Sequence, residues 1–289
     1  MSINTGLILC AGKGTRMGAI GKVLPKPLWP LFEKTLIDWQ IIQMMKLGIK
    51  NIYINTHHGH ELITEHVNKN WQGQVHLIHE KILLNVGGAI ANLKHQTNSE
   101  EKLLVVTADM ISNLDKKDLE AMENKMAENI ACLLLMKVEK KSKYNKVIFE
   151  NDTVIDIISS NQDDHTFSGM SLINLKKIKA GIEPETFFDS LLNYKKNPVK
   201  TYFRNDIEFF DLGTMTEFVS SHEKLFESFQ KMKNDQIVED LKKYHFIPNG
   251  LESWIDCLFQ YIKIEQHNNV LSLKYKEIVQ EIELSMSKS

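Results

Sequence analysis

From residue 6 to about 136, short apolar runs alternate with longer amphipathic stretches. This alternation confines the chain to βα units that feed a parallel sheet. GLILCAG at 6–12, NIYIN at 51–55, VHLIH at 75–79, LLVVTAD at 103–109 and IACLLLMKV at 130–138 are the strand candidates. Leu36, Trp39, Ile41, Ile42, Met45 and Leu47 recur at roughly helical spacing, and Gly48 supplies a stop. Further helices suit residues 61–67, 88–94 and 115–127.

After Glu139 the texture changes. KVIFENDTVIDIISS reads as a hairpin turning at Asn151-Asp152, and TFSGMSLINL reads as a strand, so this smaller region is partly antiparallel. A helix is expected over 184–194, strand material in VKTYFRND and IEFFDLGT, and a helix from Met215 to about Met232. In the last 55 or so residues, Leu241, Trp254, Ile255, Leu258, Phe259 and Ile262, then Ile278, Val279 and Ile282, are expected on helices joined through Pro248-Asn249-Gly250 and Asn268-Asn269. The expected fold is α/β, a mixed and mostly parallel sheet flanked by helices. Residues 1–232 form the main domain and 233–289 a helical C-terminal extension. The apolar faces of that extension must be buried, which suggests a homo-oligomer or a cap on the same chain.

The 289 residues suffice for one large domain, or for one domain plus an appendage. No window approaches the roughly 18 to 20 apolar residues of a spanning helix, and the N-terminus lacks a basic n-region and cleavage site, so a cytoplasmic protein without a membrane span is expected. Cys10, Cys132 and Cys257 lie far apart without CxxC spacing and read as buried small apolar residues. With 35 Lys+Arg against 37 Asp+Glu, the net charge of -2 gives no broad nucleic-acid footprint. An anionic ligand must therefore be held by local positive groups.

LILCAGKGTRMGAIGKVLPKPL, residues 7–28, offers such groups. Gly12-Lys13-Gly14 stands where a strand turns into a helix, a place where backbone N-H groups can cradle phosphate or where the chain simply turns tightly. The pattern is not GxxxxGK[ST], and Met17 occupies the third glycine position of GxGxxG, so the ATPase and dinucleotide readings lose ground. Arg16 and Lys26 flank the turn. Pro25 and Pro27 restrict the backbone around Lys26 and lower the entropic cost of aiming its ammonium. Asp109, at the carboxyl end of LLVVTAD, is suited to Mg²⁺; Asp211 in FFDLGT could join it or cap the following helix. Asn85-Val-Gly-Gly-Ala89 admits a flat ring against the backbone, or is a turn with a cap. Ser168-Gly169 marks either a bulge or a ligand's approach. His57, His58 and His60 read as a loop.

In order, LILCAGKGTRM, PKPL, Gly87-Gly88-Ala89, the strand ending in Asp109, TFSGMSLI and FFDLGTMTEF resemble the sugar-1-phosphate nucleotidyltransferases, whose fold is Rossmann-like and of GT-A type. The pattern is most similar to the bacterial N-acetylmuramate-1-phosphate uridylyltransferases and mannose-1-phosphate guanylyltransferases, over roughly residues 3–230. The resemblance implies a nucleoside triphosphate and a sugar 1-phosphate as partners, giving an NDP-sugar and pyrophosphate, with Mg²⁺ as cofactor. It implies that Ala11, Gly12 and Gly14 contact the nucleotide, Gly88 touches the base, and Arg16 binds the departing phosphates. Lys26 then sits on the α-phosphate and the incoming sugar phosphate, Asp109 and Asp211 hold the metal, and Ser168 and Gly169 face the sugar. The acceptor subregion spans about 139–212.

The chain departs from that pattern at Thr107 and Ala108, where the uridylyltransferases carry Asn and many relatives Gly, and at Asn85-Val86, which replaces Glu-Thr. Glu80 could still supply a carboxylate near that loop. Alternatives are CMP transfer to a non-sugar phosphate such as phosphocholine, whose enzymes share the opening motif, and a catalytically silent scaffold that kept the fold.

Overall fold

The structure is a computed structural model that describes residues 3–138, 144–159, 164–230, 236–246, 257–258 and 261–283. Among these residues a nine-stranded sheet runs in the order Val75–His79, Asn51–Thr56, Thr5–Leu9, Lys102–Thr107, Asp164–Asn174, Ala131–Val138, Val199–Tyr202, Thr153–Ser159, Asn145–Glu150. The first four of these strands are parallel. Asp164–Asn174 runs antiparallel to both neighbours, and the Val199–Tyr202 strand returns parallel to Ala131–Val138.

Successive side chains of a strand enter opposite faces, and here both faces are buried. Ile8, Leu104 and Val106 join one apolar core, while Leu7, Leu103 and Val105 join the other. The uninterrupted apolar runs of the central strands Thr5–Leu9 and Lys102–Thr107 follow from this, whereas the edge strand Val75–His79 exposes His76 and His79. Helix Leu36–Leu47 shows the local control. Thr35 caps it in a reciprocal box with Asp38, and Gly48 ends it at φ 89°. Gln40 and Gln43, also buried, donate to the carbonyls of Met110 and Leu114 and tie the helix to the segment after strand Lys102–Thr107.

The expected hairpin is present, with Asn151 and Asp152 both at positive φ between paired Glu150 and Thr153. The helix expected over 184–194 is instead a single wide turn, Phe187–Leu192. The preceding backbone is held extended against Gly87 and Gly88: Glu185 N donates to the Leu84 carbonyl at 2.9 Å, and Gly88 N to the Glu185 carbonyl at 3.3 Å.

The C-terminal extension corrects a larger expectation. Among the described residues of the extension one helix is present, Gln236–Lys243, and an antiparallel sheet follows from Cys257–Leu258, Lys263–His267, Val270–Tyr275 and Ile278–Glu283. Trp254, Ile255 and Phe259 lie outside the described residues. Ile278, Gln280 and Ile282 are half-buried while Val279, Glu281 and Glu283 are exposed, so the period is two. Asn268 and Lys276 adopt positive φ at the two hairpin turns. The extension packs on its own chain: Phe246, Ile262, Ile264, Leu271 and Leu273 are buried in the same core as the first half, and Phe246 meets Trp39 edge-on at 5.6 Å. No helix among the described residues is long and apolar enough to cross a membrane.

Candidate active site

A cavity of about 470 Å³ opens where the parallel strands end at their carboxyl side. Its lining includes Ala11, Gly12, Lys13, Gly14, Arg16, Lys26, Asn55, Thr107 and Asp109. The glycine-rich turn leaves strand Thr5–Leu9 under firm control, because the Cys10 amide donates to Asn55 Oδ1 at 2.8 Å. Gly12 faces open space, and Gly14 takes φ 61° to start the short turn Thr15–Met17. Met17, Ile20 and Leu24 are fully buried and anchor the loop. The residue that spoils the dinucleotide pattern is thus a packing anchor. Arg16 is exposed at the cavity and makes no ion pair among the described residues.

Pro25 is extended, and Lys26 begins a turn through Leu28 in which the Leu28 amide donates to the Pro25 carbonyl. Only 9% of Lys26 is exposed, so its ammonium needs a partner, and it donates to the Asp109 carboxylate. Burial pushes the Asp109 carboxyl up, but the Lys26 charge and hydrogen bond, with a further bond from Thr107, hold it below the usual carboxylate range.

Asp211 reaches the same place from a distant segment. Strand Phe209–Asp211 pairs with Met110–Ser112 so that Asp211 faces Met110, and Leu212 N donates to the Asp109 carbonyl at 2.9 Å. Asp211 accepts from Gly213 N at 2.6 Å and from the Tyr144 hydroxyl. Helix Met215–Gln230 is capped by Thr214, whose hydroxyl exchanges hydrogen bonds with Glu217, so Asp211 does not serve as that cap. Two carboxylates beside a phosphate-sized loop are the hard oxygen donors Mg²⁺ takes, and they fit it. Among the described residues no group of three or more potential metal-ligating side chains occurs, so the remaining ligands would be phosphate and water.

Gly88 and Ser168 are placed elsewhere. A Cβ on Gly88 would stand 2.4 Å from the Glu183 carbonyl oxygen, so this glycine makes room for the chain's own backbone. Leu83, Asn85 and Val86 form the cavity wall there. Ser168 is fully buried and donates to the Leu134 carbonyl at 2.9 Å inside a bulge. Gly169, at φ 85°, lies against Thr107. Of the two readings left open for this pair, the structure shows the bulge.

The sequence reading missed Asn55 and Tyr144, while Glu80 does bring a carboxylate beside the Asn85-Val86 loop. Glu80 is buried, accepts from Asn55 Nδ2 at 2.7 Å and from Leu84 N at 3.0 Å, and so braces the wall instead of lining it. A polar Asn closing the strand after the apolar Ile52-Tyr53-Ile54 was the available signal for Asn55; Tyr144 had none. Burial raises the thiols of Cys10 and Cys132, the latter to about 12, consistent with inert packing residues. His57 bonds to the Glu80 carbonyl, and His60 stacks on His79 at 3.7 Å.

A nucleotidyl transferase family model matches residues 5–159, more than half of the chain. The D-glycero-alpha-D-manno-heptose 1-phosphate guanylyltransferase of Campylobacter jejuni is 27% identical over 224 residues, which covers 73% of this chain and 96% of that protein. The mannose-1-phosphate guanylyltransferase catalytic subunit beta of Danio rerio is 26% identical over 151 residues, 51% of this chain and 42% of that protein. Among solved structures, HddC from Yersinia pseudotuberculosis complexed with GMP-PN shares the fold with a TM-score of 0.66 at 20% identity, covering 77% of this chain and 99% of that one. The glycine turn, the lysine between prolines and the aspartate after the fourth parallel strand all lie inside the matched segment, and the chain belongs to the nucleotidyl transferase family of enzymes.

Proposed function

We propose that this enzyme transfers a nucleotidyl group from a nucleoside triphosphate to a sugar 1-phosphate, releasing pyrophosphate and an NDP-sugar, with Mg²⁺ as cofactor. The observation that carries this reading is the Lys26–Asp109 ion pair at the foot of the glycine turn, with Asp211 held beside it and Arg16 exposed above. The two guanylyltransferase relatives make a guanine nucleotide the first candidate donor.

The acceptor is already an anionic phosphate, so it needs no base to become a nucleophile. One of its oxygens bonds to the α-phosphorus while the bond from that phosphorus to the β-phosphate oxygen breaks, and pyrophosphate leaves. What this requires is alignment and charge neutralisation. Lys26, fixed between prolines, bridges the α-phosphate and the incoming phosphate. Arg16 and the N-H groups of the glycine turn hold the departing phosphates. Mg²⁺, held by Asp109 and Asp211, would add further neutralisation of the triphosphate. Leu83, Asn85 and Val86 supply the wall against which the base rests.

The test is pyrophosphate release with each of the four nucleoside triphosphates, Mg²⁺ and a panel of sugar 1-phosphates, with phosphocholine as a competing acceptor. Release that depends on phosphocholine alone would move the enzyme to the cytidylyltransferases. No consumption of any triphosphate by folded protein would leave the silent scaffold.

A further inference from the structure

The glycine-rich loop does not rest on the main domain alone. Strand Ile278–Glu283, the edge of the C-terminal sheet, lies against the short helix Gly18–Gly21, midway between Arg16 and Lys26. The Gln280 carboxamide oxygen accepts from the Ile20 amide at 3.3 Å across 260 positions of sequence. Gly18 is at φ 70°, and a Cβ there would stand 2.4 Å from Gln280 Oε1. The carboxamide thus occupies the space that a side chain on residue 18 would fill.

The strand that carries Gln280 is anchored. It pairs along its length with strand Val270–Tyr275, and at the far side of the same sheet, just before strand Lys263–His267, the Tyr261 hydroxyl lies 2.9 Å from Nδ1 of His66, whose Nε2 is 2.8 Å from Asp38, so the sheet is tied to the helices Leu36–Leu47 and His60–Trp71. Ile264, Leu271 and Leu273 of the two preceding strands are fully buried. The loop is held at Met17, Ile20 and Leu24, but between these anchors it is glycine-dense: Gly12, Gly14, Gly18 and Gly21 fall within ten residues, and Ala19, Lys22 and Val23 are exposed. A glycine-dense segment samples many backbone conformations unless something outside it selects one.

We infer that Gln280 is a positioning residue for the nucleotide, holding the loop between Arg16 and Lys26 in its binding conformation from the C-terminal sheet. This rests on the nucleotidyl-transfer reading above. Loss of the contact lowers the fraction of molecules whose loop is competent, and the apparent affinity for triphosphate falls by that fraction.

Three variants of the full chain test it: Gln280→Ala, Gln280→Glu, which keeps an acceptor oxygen, and Val279→Ala on the exposed side of the same strand. Gln280→Ala is expected to raise KM for the triphosphate about fivefold while KM for the sugar phosphate moves less than about twofold. Exchange of the Ile20 amide should rise about tenfold, with the amides of helix Leu36–Leu47 unchanged. Gln280→Glu should restore both readings, and Val279→Ala should change neither. An unchanged triphosphate KM in Gln280→Ala, or an equal change in both KM values with a lowered Tm, overturns the inference. Wild-type protein that consumes no triphosphate overturns the functional reading itself, so the two failures are told apart.

Discussion

Lys26 and Asp109, 83 positions apart in sequence, meet as an ion pair at the base of the glycine-rich turn. Each is awkward alone: a lysine with 9% exposure, and a carboxylate that burial would push up. Together they place one fixed positive and one fixed negative group where phosphates would be gripped. Asp211 stands next to the pair because strand Phe209–Asp211 is registered against Met110–Ser112.

Lys26→Ala is expected to lower turnover about 10²-fold or more, the scale on which fixed electrostatic donors act on a developing charge. Steady-state kinetics of pyrophosphate release checks this. A change below about threefold would reduce Lys26 to a structural partner of Asp109.

Chelation of divalent cations is expected to abolish activity, and Mg²⁺ to restore it. Asp109→Asn and Asp211→Asn should each raise the Mg²⁺ concentration for half-maximal rate by about tenfold or more. An unchanged Mg²⁺ profile in Asp211→Asn would leave that residue as the partner of Gly213 and Tyr144 alone.

Gly88→Ala separates packing from base recognition. A Cβ 2.4 Å from the Glu183 carbonyl forces the backbone apart, and a loss of roughly 1–3 kcal/mol in urea unfolding is expected, with triphosphate KM little changed. Unaltered stability with a raised KM would return Gly88 to the nucleobase.

Much of the first half was legible because local and global demands agree there. Fully buried parallel strands read as continuous apolar runs, Gly48 had to take a left-handed conformation, and Asn151-Asp152 is a turn pair with a mechanism. The C-terminal strands were misread because Ile278, Val279 and Ile282 satisfy a helical spacing, whereas burial follows Ile278, Gln280 and Ile282. A polar residue on the half-buried face concealed the period of two. Arg16, Lys26 and Asp109, singled out by charge, backbone restriction and strand-end position, come together at one cavity. Ser168 and Gly88 pack against the chain's own backbone, and a glycine or serine that makes room for the chain itself has the same sequence signature as one that makes room for a ligand.

His222 predicts a pH dependence. It is fully buried against Phe32 and Phe218, its Nδ1 donates to the Phe218 carbonyl, and burial pushes its pKa down to about 4. The unfolded chain protonates this ring near 6.5. As pH falls from 6.5 toward 4 the unfolded state takes the proton first, so stability declines through that window, by about 3 kcal/mol at its lower end. Urea unfolding at pH 7 and pH 4.5 measures the step, and His222→Gln, which keeps a donor for the carbonyl, should remove most of it. An identical slope in the variant would assign the step to other groups.

Nucleotidyl transfer to a sugar phosphate is tested by the stoichiometry of products from wild-type enzyme with GTP, Mg²⁺ and a panel of sugar 1-phosphates, repeated with the other three triphosphates. One triphosphate is expected to yield pyrophosphate and NDP-sugar in equal amounts, only when a sugar 1-phosphate is present. Pyrophosphate release that ignores the sugar phosphate, or folded protein that consumes no triphosphate under any combination, would contradict it.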